Sequence, residues 1–184
     1  MNKYFYKQTH YHLVCFYLII YYHISIRHSN TFSLVWRDDK LKFMDISIEE
    51  AKKAFSESEV PVGCVIVSDG EIIAQSHNTT EKEKDSTCHA ETNAIKAALK
   101  KLGTKSLENC ELYVTVEPCP MCAGAIINSK IKRVYIGTSE PKSGCFGSKI
   151  DFNTLGFNHT PEVYIGINED ECKKLMTDFF KNKR

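Results

Sequence analysis

The sequence predicts an α/β fold in which helices cover both faces of a mixed β-sheet. Segments with apolar residues at helical spacing alternate with short runs rich in β-branched and aromatic residues. The first two strand-like runs flank Asp69-Gly70, a dipeptide that favours the tight turn of a hairpin. The later strand-like runs alternate with helices, which is typical of parallel β-α-β units. A hairpin and a parallel unit in one sheet together predict mixed topology.

The predicted elements follow one another in the order α-β-β-α-β-α-β-β-α. The helices are expected over residues 47–58, 89–102, 121–129 and 168–181, and the strands over residues 64–67, 72–74, 111–116, 133–137 and 163–165. The polar residues 78–87 and the Gly- and Asn-rich residues 139–159 predict loops.

Local residues explain where these elements begin and end. Pro61-Val62-Gly63 interrupts the first helix, and Gly103 ends the second, because glycine readily adopts the left-handed conformation that follows many helices. Pro118-Cys119-Pro120 turns the chain into the third helix, where a proline suits the first turn. Phe179 and Phe180 on the closing helix cannot both face the core, so one of them is expected to be exposed.

The composition is that of a globular protein with a single domain. The chain has 184 residues, of which 42% are hydrophobic, and a formal net charge of +1. These values exclude a collagen-like chain, a disordered chain and a histone-like polycation, but not a local basic patch that binds nucleic acid. The eight scattered cysteines include one C-x-x-C pair and favour a metal site in a reducing compartment, the cytoplasm, over a disulfide framework.

Residues 1–43 differ from the rest of the chain, because they are rich in aromatic residues and contain no Ala, Gly, Pro or Glu. Their apolar run at residues 13–22 is too short for a membrane span, which takes about 17–25 residues. A signal peptide would fit the run, but no small-x-small cleavage site follows it. We therefore expect an extension outside the fold, upstream of a natural start at Met44, and a folded domain over residues 44–184 that binds no membrane.

Three side chains, His89, Cys119 and Cys122, form a metal-ligand pattern. One imidazole and two thiolates suit zinc, and three protein ligands leave a fourth tetrahedral position open, as in catalytic sites. The histidine and the cysteine pair both lie at predicted helix starts, where the helix dipole favours thiolates. A redox C-x-x-C pair and a structural zinc site with Cys88 or Cys145 as the fourth ligand are the alternatives.

Glu91 follows His89 by two residues and completes the pattern His-x-Glu … Pro-Cys-x-x-Cys, which is typical of zinc nucleobase deaminases. In that chemistry, zinc lowers the pKa of a water molecule from about 15.7 towards 7 and makes it the nucleophile. A glutamate exchanges protons with this water and with the exocyclic amine, which leaves as ammonia. The pattern therefore predicts hydrolytic deamination.

Over residues 44–184 the chain resembles the bacterial tRNA-specific adenosine deaminases. The zinc pattern alone is shared with cytidine, deoxycytidylate, guanine and riboflavin-pathway deaminases, and further segments narrow the resemblance. The matching segments are Glu59–Gly63, His89–Ile95, Leu112–Ala125, Pro141–Ser148, Phe157–His159 and Asp178–Lys181.

This resemblance implies a three-layer α/β/α cytidine deaminase-like fold with a central mixed five-stranded sheet. It implies a homodimer that converts adenosine to inosine at the wobble position of a tRNA, whose anticodon stem-loop it binds. One Zn²⁺ per subunit would be held by His89, Cys119 and Cys122, with Glu91 as the catalytic proton shuttle. The substrate-binding residues that the resemblance implies are Asn78, Ala90, Glu140, Asn158, His159 and Phe180.

The sequence departs from the family pattern at Glu140, where Asp is usual, at Cys88, where Ala is usual, and at Thr92, where a larger apolar residue is usual. Two alternatives to a tRNA deaminase stay open. One is a zinc deaminase of a free base or nucleotide, of the guanine or cytosine type. The other is a non-catalytic zinc-dependent RNA-binding module. The presence of Glu91 argues against this alternative, because such a module needs no proton shuttle.

Overall fold

The computed structural model describes residues 40–182, so residues 1–39 and 183–184 lie outside the described part. The apolar run at residues 13–22 and most of the predicted N-terminal extension therefore lie outside the described residues. Within residues 40–182, no helix combines the length and the apolar character that a membrane crossing requires.

Five α-helices and five β-strands make up the regular structure of residues 40–182. The helices are α1 (residues 40–56), α2 (Thr80–Glu83), α3 (Ala90–Leu102), α4 (Pro120–Asn128) and α5 (Glu169–Asn182). The strands are β1 (Gly63–Ser68), β2 (Glu71–His77), β3 (Cys110–Val116), β4 (Arg133–Thr138) and β5 (Glu162–Ile165). A short 3₁₀ helix at Phe152–Thr154 lies in the loop between β4 and β5.

The five strands form one mixed sheet, as the sequence predicts, and their order in the sheet is β2-β1-β3-β4-β5. β1 pairs antiparallel with both β2 and β3, whereas β3, β4 and β5 run parallel. The hairpin turns at Asp69 and Gly70, whose φ angles of 50° and 80° are the left-handed values of a tight hairpin turn. α4 is the crossover between the parallel strands β3 and β4.

Alternate side chains of the central strands point to opposite faces, because the side-chain period of a strand is two. One face packs against α3 and α4, and the other packs against α1 and α5. The first face carries Cys64, Ile66, Leu112, Val114, Val134 and Ile136, and the second carries Val65, Val67, Tyr113 and Tyr135. The predicted three-layer α/β/α architecture is therefore confirmed.

The first helix begins earlier than the sequence predicts. Residues 40–43 already belong to α1, and Phe43 is buried with its ring centroid 5.3 Å from that of Tyr113. The predicted domain boundary at residue 44 thus falls inside α1, because Phe43 packs on the sheet together with the rest of the helix. For residues 1–39, the extension stays a prediction. The loop predicted over residues 78–87 also contains the short helix α2.

Gly63 is needed because α1 lies directly against the start of β1. A Cβ atom at this position would overlap the Ser47 carbonyl oxygen and lie 2.6 Å from the Ala51 backbone nitrogen. Both are backbone atoms, which cannot move aside as a flexible side chain can. The connection between α1 and β1, residues 57–62, contributes Val60 and Val62 to the lining of the cavity described below.

Candidate active site

Two helix N-termini meet at the metal-ligand residues. His89 is the N-cap residue of α3, and Cys119 is the N-cap residue of α4. Pro120 occupies the start of α4, and Cys122 lies one turn into the same helix. Both predicted ligand positions at helix starts are therefore confirmed, and the packing of α3 and α4 on one face of the sheet brings them together.

The three side chains lie at the distances that a zinc ion requires. His89 Nδ1 lies 3.6 Å from Cys119 Sγ and 3.4 Å from Cys122 Sγ. Zinc–sulfur bonds of about 2.3 Å and zinc–nitrogen bonds of about 2.0–2.1 Å separate N and S by about 3.6 Å in a tetrahedron. Within residues 40–182, these three alone form such a cluster, so neither Cys88 nor Cys145 adds a fourth ligand.

The surroundings of Cys119 favour its thiolate form. A hydrogen bond from the Cys122 thiol lowers the pKa of Cys119 to about 4 despite burial, with help from His89 and from a backbone N–H at the start of α4. The same hydrogen bond, together with burial, raises the pKa of Cys122, and the contact with Cys119 raises the pKa of His89. A bound divalent cation takes the place of these protons, so metal affinity should fall in acid.

Glu91 lies in the first turn of α3, and only 4% of its surface is exposed. With His89 and Cys119 it lines a cavity of about 180 Å³, and it is not a member of the metal-ligand cluster. Burial raises the pKa of the Glu91 carboxyl, which brings it closer to the pH at which it must both accept and donate a proton. The cavity is smaller than the ~300–1,000 Å³ of sites for drug-sized ligands, so it suits a single ring system.

Two of the predicted substrate-binding residues, Asn78 and Glu140, also line this cavity. Asn78 directly follows β2 and is buried, and Glu140 lies in the loop after β4. Met176 reaches the cavity from α5 and Ser143 from the same loop as Glu140. The cavity is therefore lined by residues that lie far apart in the chain, from Val60 to Met176.

The other predicted substrate-binding residues are not among those that line the cavity. The Ala90 side chain is fully buried between the two functional residues His89 and Glu91. Asn158 is exposed on the loop after β4, and His159 Nε2 lies 2.6 Å from the Ile131 carbonyl oxygen. The ring of His159 thus has a structural partner within the protein.

The closing helix confirms the expectation for its two adjacent phenylalanines. Phe179 is 4% exposed and packs against Phe55, with ring centroids 5.7 Å apart, whereas Phe180 is 48% exposed. Phe180 therefore presents an aromatic ring at the surface of α5, and Phe179 anchors that helix to α1.

Glu117 holds the loop that carries Glu140 against the cysteine-bearing turn. Its buried carboxylate accepts four hydrogen bonds, from the backbone N–H groups of Glu140 (3.0 Å), Phe146 (2.8 Å) and Ser148 (3.1 Å) and from the Ser148 hydroxyl. The backbone N–H of Cys145 also donates to the Pro118 carbonyl oxygen at 3.0 Å. Burial raises the pKa of Glu117, but these hydrogen bonds outweigh it and hold the pKa below its usual range.

Replacing Glu117 by glutamine is expected to destabilise the fold by about 1–3 kcal/mol at pH 7, because an NH₂ group then faces N–H donors. The wild-type carboxylate has a lowered pKa when folded, so its contribution is full above the unfolded-state pKa of about 4.3 and is lost as the pH falls through the folded-state pKa. Urea unfolding measures the free energy of unfolding of both proteins. The difference in this free energy between the wild type and Glu117→Gln should therefore shrink as the pH falls from 7 to 3.5. The exposed Glu71→Gln is the control, and a pH-independent difference for Glu117→Gln would contradict this role.

Sequence reasoning assigned no role to Glu59, Glu117, Thr80 or Met176. Glu59 and Glu117 both lie inside segments that match the family pattern. That match is the one feature of the sequence that could have pointed to a role for them. Thr80 and Met176 carry no such indication, because only the tertiary structure brings them to the cavity.

Residues 37–138 match the family model described as the cytidine and deoxycytidylate deaminase zinc-binding region. The fold and the three-ligand cluster agree with this match. Together they define a zinc-binding deaminase, whose cofactor is the Zn²⁺ that His89, Cys119 and Cys122 are placed to bind.

Individual relatives narrow this class. The tRNA-specific adenosine deaminase of Bacillus subtilis (strain 168) is 47% identical over 143 residues, which cover 77% of this chain and 89% of that protein. A solved tRNA:A34 deaminase, which carries out A-to-I editing at the wobble position of transfer RNA, is 41% identical. The superposition covers 73% of this chain and 98% of the solved chain, with a TM-score of 0.71. The chain belongs to the family of tRNA-specific adenosine deaminases.

A guanine deaminase from Nitrosomonas europaea also has this fold. Its TM-score is 0.67 at 22% identity, with 76% of this chain and 83% of that chain covered. At this identity the likeness concerns the fold alone, so the same scaffold serves deaminases of different specificity.

Proposed function

We propose that this protein hydrolyses adenosine to inosine at the wobble position of a tRNA. The observation that carries the proposal is the position of the buried Glu91. It lies beside the three candidate zinc ligands, in a cavity whose volume suits a single nucleobase. The identity of 47% to a tRNA-specific adenosine deaminase supports the choice of substrate.

When bound, zinc acts as a Lewis acid that lowers the pKa of a water molecule towards 7. As the water oxygen bonds to the C6 carbon of adenine and the C6–N1 double bond becomes single, Glu91 takes a proton from the water and passes it to N1. Glu91 then takes the remaining proton of the new hydroxyl group and passes it to the exocyclic nitrogen as the C6–N6 bond breaks and the C6 carbonyl forms. Water and adenosine thus become inosine and ammonia, and Glu91 ends in its starting state. Burial of Glu91 excludes bulk solvent and keeps its proton available, because its pKa is raised.

Inside the cavity, Asn78 and Glu140 contact the target nucleotide, and Ala90 contributes its backbone because its side chain is fully buried. The target base can enter this cavity only if it unstacks from the adjacent bases of the RNA and flips out. The anticodon loop is single-stranded, so this step costs less than it would in a duplex.

Outside the cavity, Asn158, His159 and Phe180 contact the anticodon stem-loop. Phe180 is well suited to this, because an exposed aromatic ring offers a stacking surface for an unpaired base. His159 contributes from the side of the ring that its contact with Ile131 leaves free.

The active form is a homodimer in the cytoplasm. The seven cysteines within residues 40–182 are all free, which supports a reducing compartment. The homodimer follows from the family resemblance, which places the anticodon loop against both subunits.

Incubation with an unmodified tRNA transcript that has adenosine at the wobble position tests this proposal. We expect inosine at that position, read by sequencing after reverse transcription, and no ammonia from free adenine, guanine, cytosine or their nucleosides. The same transcript with guanosine at the wobble position is the matched control. Ammonia from a free base with no inosine in tRNA would favour the rival deaminase, and tRNA binding without any turnover would favour the RNA-binding module.

A further inference from the structure

A buried carboxylate, that of Glu59, lies behind the cavity residue Asn78. α1 ends with the hydrogen bonds of a Schellman cap, from Glu59 N–H to the Ala54 carbonyl (2.9 Å) and from Ser58 N–H to the Phe55 carbonyl (3.1 Å). Ser58 has the left-handed φ of 64° that this cap requires. The turn leaves Glu59 with only 1% of its surface exposed.

Both oxygens of the Glu59 carboxylate accept hydrogen bonds. The backbone N–H of Lys82, in the first turn of α2, donates to Oε1 at 2.7 Å. Asn78 Nδ2 and Thr80 Oγ1 donate to Oε2 at 3.0 and 3.2 Å. Burial raises the pKa of Glu59, but these donors outweigh it and hold the pKa below its usual range. Glu59 is therefore an ionised acceptor at neutral pH.

This carboxylate fixes the direction of the Asn78 amide. An ionised carboxylate can only accept hydrogen bonds, so the NH₂ end of the amide must face Glu59. Both hydrogens of that NH₂ group have acceptors, namely Glu59 Oε2 and, at 3.0 Å, Thr80 Oγ1. No group within residues 40–182 donates to Asn78 Oδ1. The Asn78 backbone N–H donates to the Val62 carbonyl at 3.1 Å, which holds the main chain in place.

We propose that Glu59 is a positioning residue that makes Asn78 a hydrogen-bond acceptor towards the bound nucleotide. The site then selects an N–H or O–H donor of the substrate at this point, and rejects an acceptor. This inference rests on the proposed function, in which Asn78 contacts the target nucleotide. An adenosine within RNA offers two such donors, its exocyclic amine and its ribose 2′-hydroxyl, whereas its ring nitrogens only accept.

The variant Glu59→Gln tests the orientation. Its new side chain keeps an oxygen for the Lys82 N–H but turns an NH₂ group towards the Asn78 amide. That amide must then rotate and present its own NH₂ group to the cavity. We expect kcat/KM to fall about 10- to 100-fold, with zinc content unchanged.

The exchange of the two functional groups gives the sharper test. Asn78→Asp alone places a second carboxylate against Glu59 and is expected to be as impaired as Glu59→Gln. In the double variant Glu59→Gln/Asn78→Asp the pair is restored with donor and acceptor exchanged, and the second aspartate oxygen remains an acceptor towards the cavity. We expect its kcat/KM to recover to within about tenfold of the wild type, a strong coupling between neighbouring sites.

The four proteins are compared for inosine formation in tRNA, zinc content and thermal unfolding. The control is Glu57→Gln, the same change two residues away, whose carboxylate pairs with Lys82 Nζ at 3.2 Å rather than with Asn78. Recovery of activity in the double variant supports the proposal. A double variant no more active than the single ones contradicts it, and so does one that regains thermal stability alone.

If the wild-type protein forms no inosine in tRNA, the proposed function is wrong, whatever the role of Glu59. In that case, ¹⁵N NMR of the Asn78 side-chain amide decides the positioning role without any substrate. Its two protons should exchange slowly in the wild type and rapidly in Glu59→Gln. Equal exchange rates in the two proteins would overturn the role of Glu59.

Discussion

Replacing Glu91 by glutamine is expected to slow inosine formation by about 10²–10⁴-fold, the range over which a general acid–base group accelerates a reaction. Glutamine has nearly the same shape and keeps the buried position, but it cannot take a proton from water and return it to the leaving amine. Because Glu91 is outside the metal-ligand cluster, the variant should still bind zinc.

Single-turnover rates on a tRNA transcript measure this effect, with zinc content and tRNA affinity determined on the same protein. Glu83→Gln is the matched control, since Glu83 is an exposed carboxylate on α2. Unchanged turnover of Glu91→Gln would refute the proton-shuttle role. Loss of zinc together with turnover would instead assign Glu91 to the metal site.

Cys122→Ala is expected to remove bound zinc and to abolish turnover. Cys122 is fully buried and is one of the three side chains within residues 40–182 that are placed to bind the ion, so its loss leaves two of them, which is too few to hold the ion tightly. Elemental analysis should show a fall from one zinc per chain to nearly none. Inosine formation should fall below detection.

Cys88→Ala is the control for this variant, because Cys88 adjoins His89 but does not join the ligand cluster. It should keep both zinc and activity. A Cys88→Ala protein without zinc would show instead that the site has four protein ligands, as in a structural zinc site, and the proposal of an open catalytic position would be wrong.

The sequence predicts the ligand positions well because they depend on local structure. His89 and Cys119 cap helices whose starts are marked by proline and by the onset of apolar spacing, and both caps are found where expected. The hairpin at Asp69 and Gly70 is likewise encoded in the turn itself. In each case the neighbouring residues alone determine the conformation.

The rest depends on contacts between distant residues. Glu59 and Glu117 each receive donors from residues more than 15 positions away, so neither role follows from the local sequence. α2 has only four residues, too few for a periodic pattern, and Glu59 accepts a hydrogen bond from its first turn. The sequence predicts a start of α1 at residue 47, where the helical spacing of apolar residues begins, but residues 40–46 are also helical, and Phe43 and Met44 pack on the sheet.

X-ray absorption at the zinc edge of the purified protein measures the metal site directly. We expect one zinc per chain with two sulfur neighbours at about 2.3 Å and two nitrogen or oxygen neighbours at about 2.0–2.1 Å. One of the light neighbours is then His89, and the other comes from solvent. Three or four sulfur neighbours would mean that further cysteines close the site, and would contradict a catalytic zinc held by His89, Cys119 and Cys122.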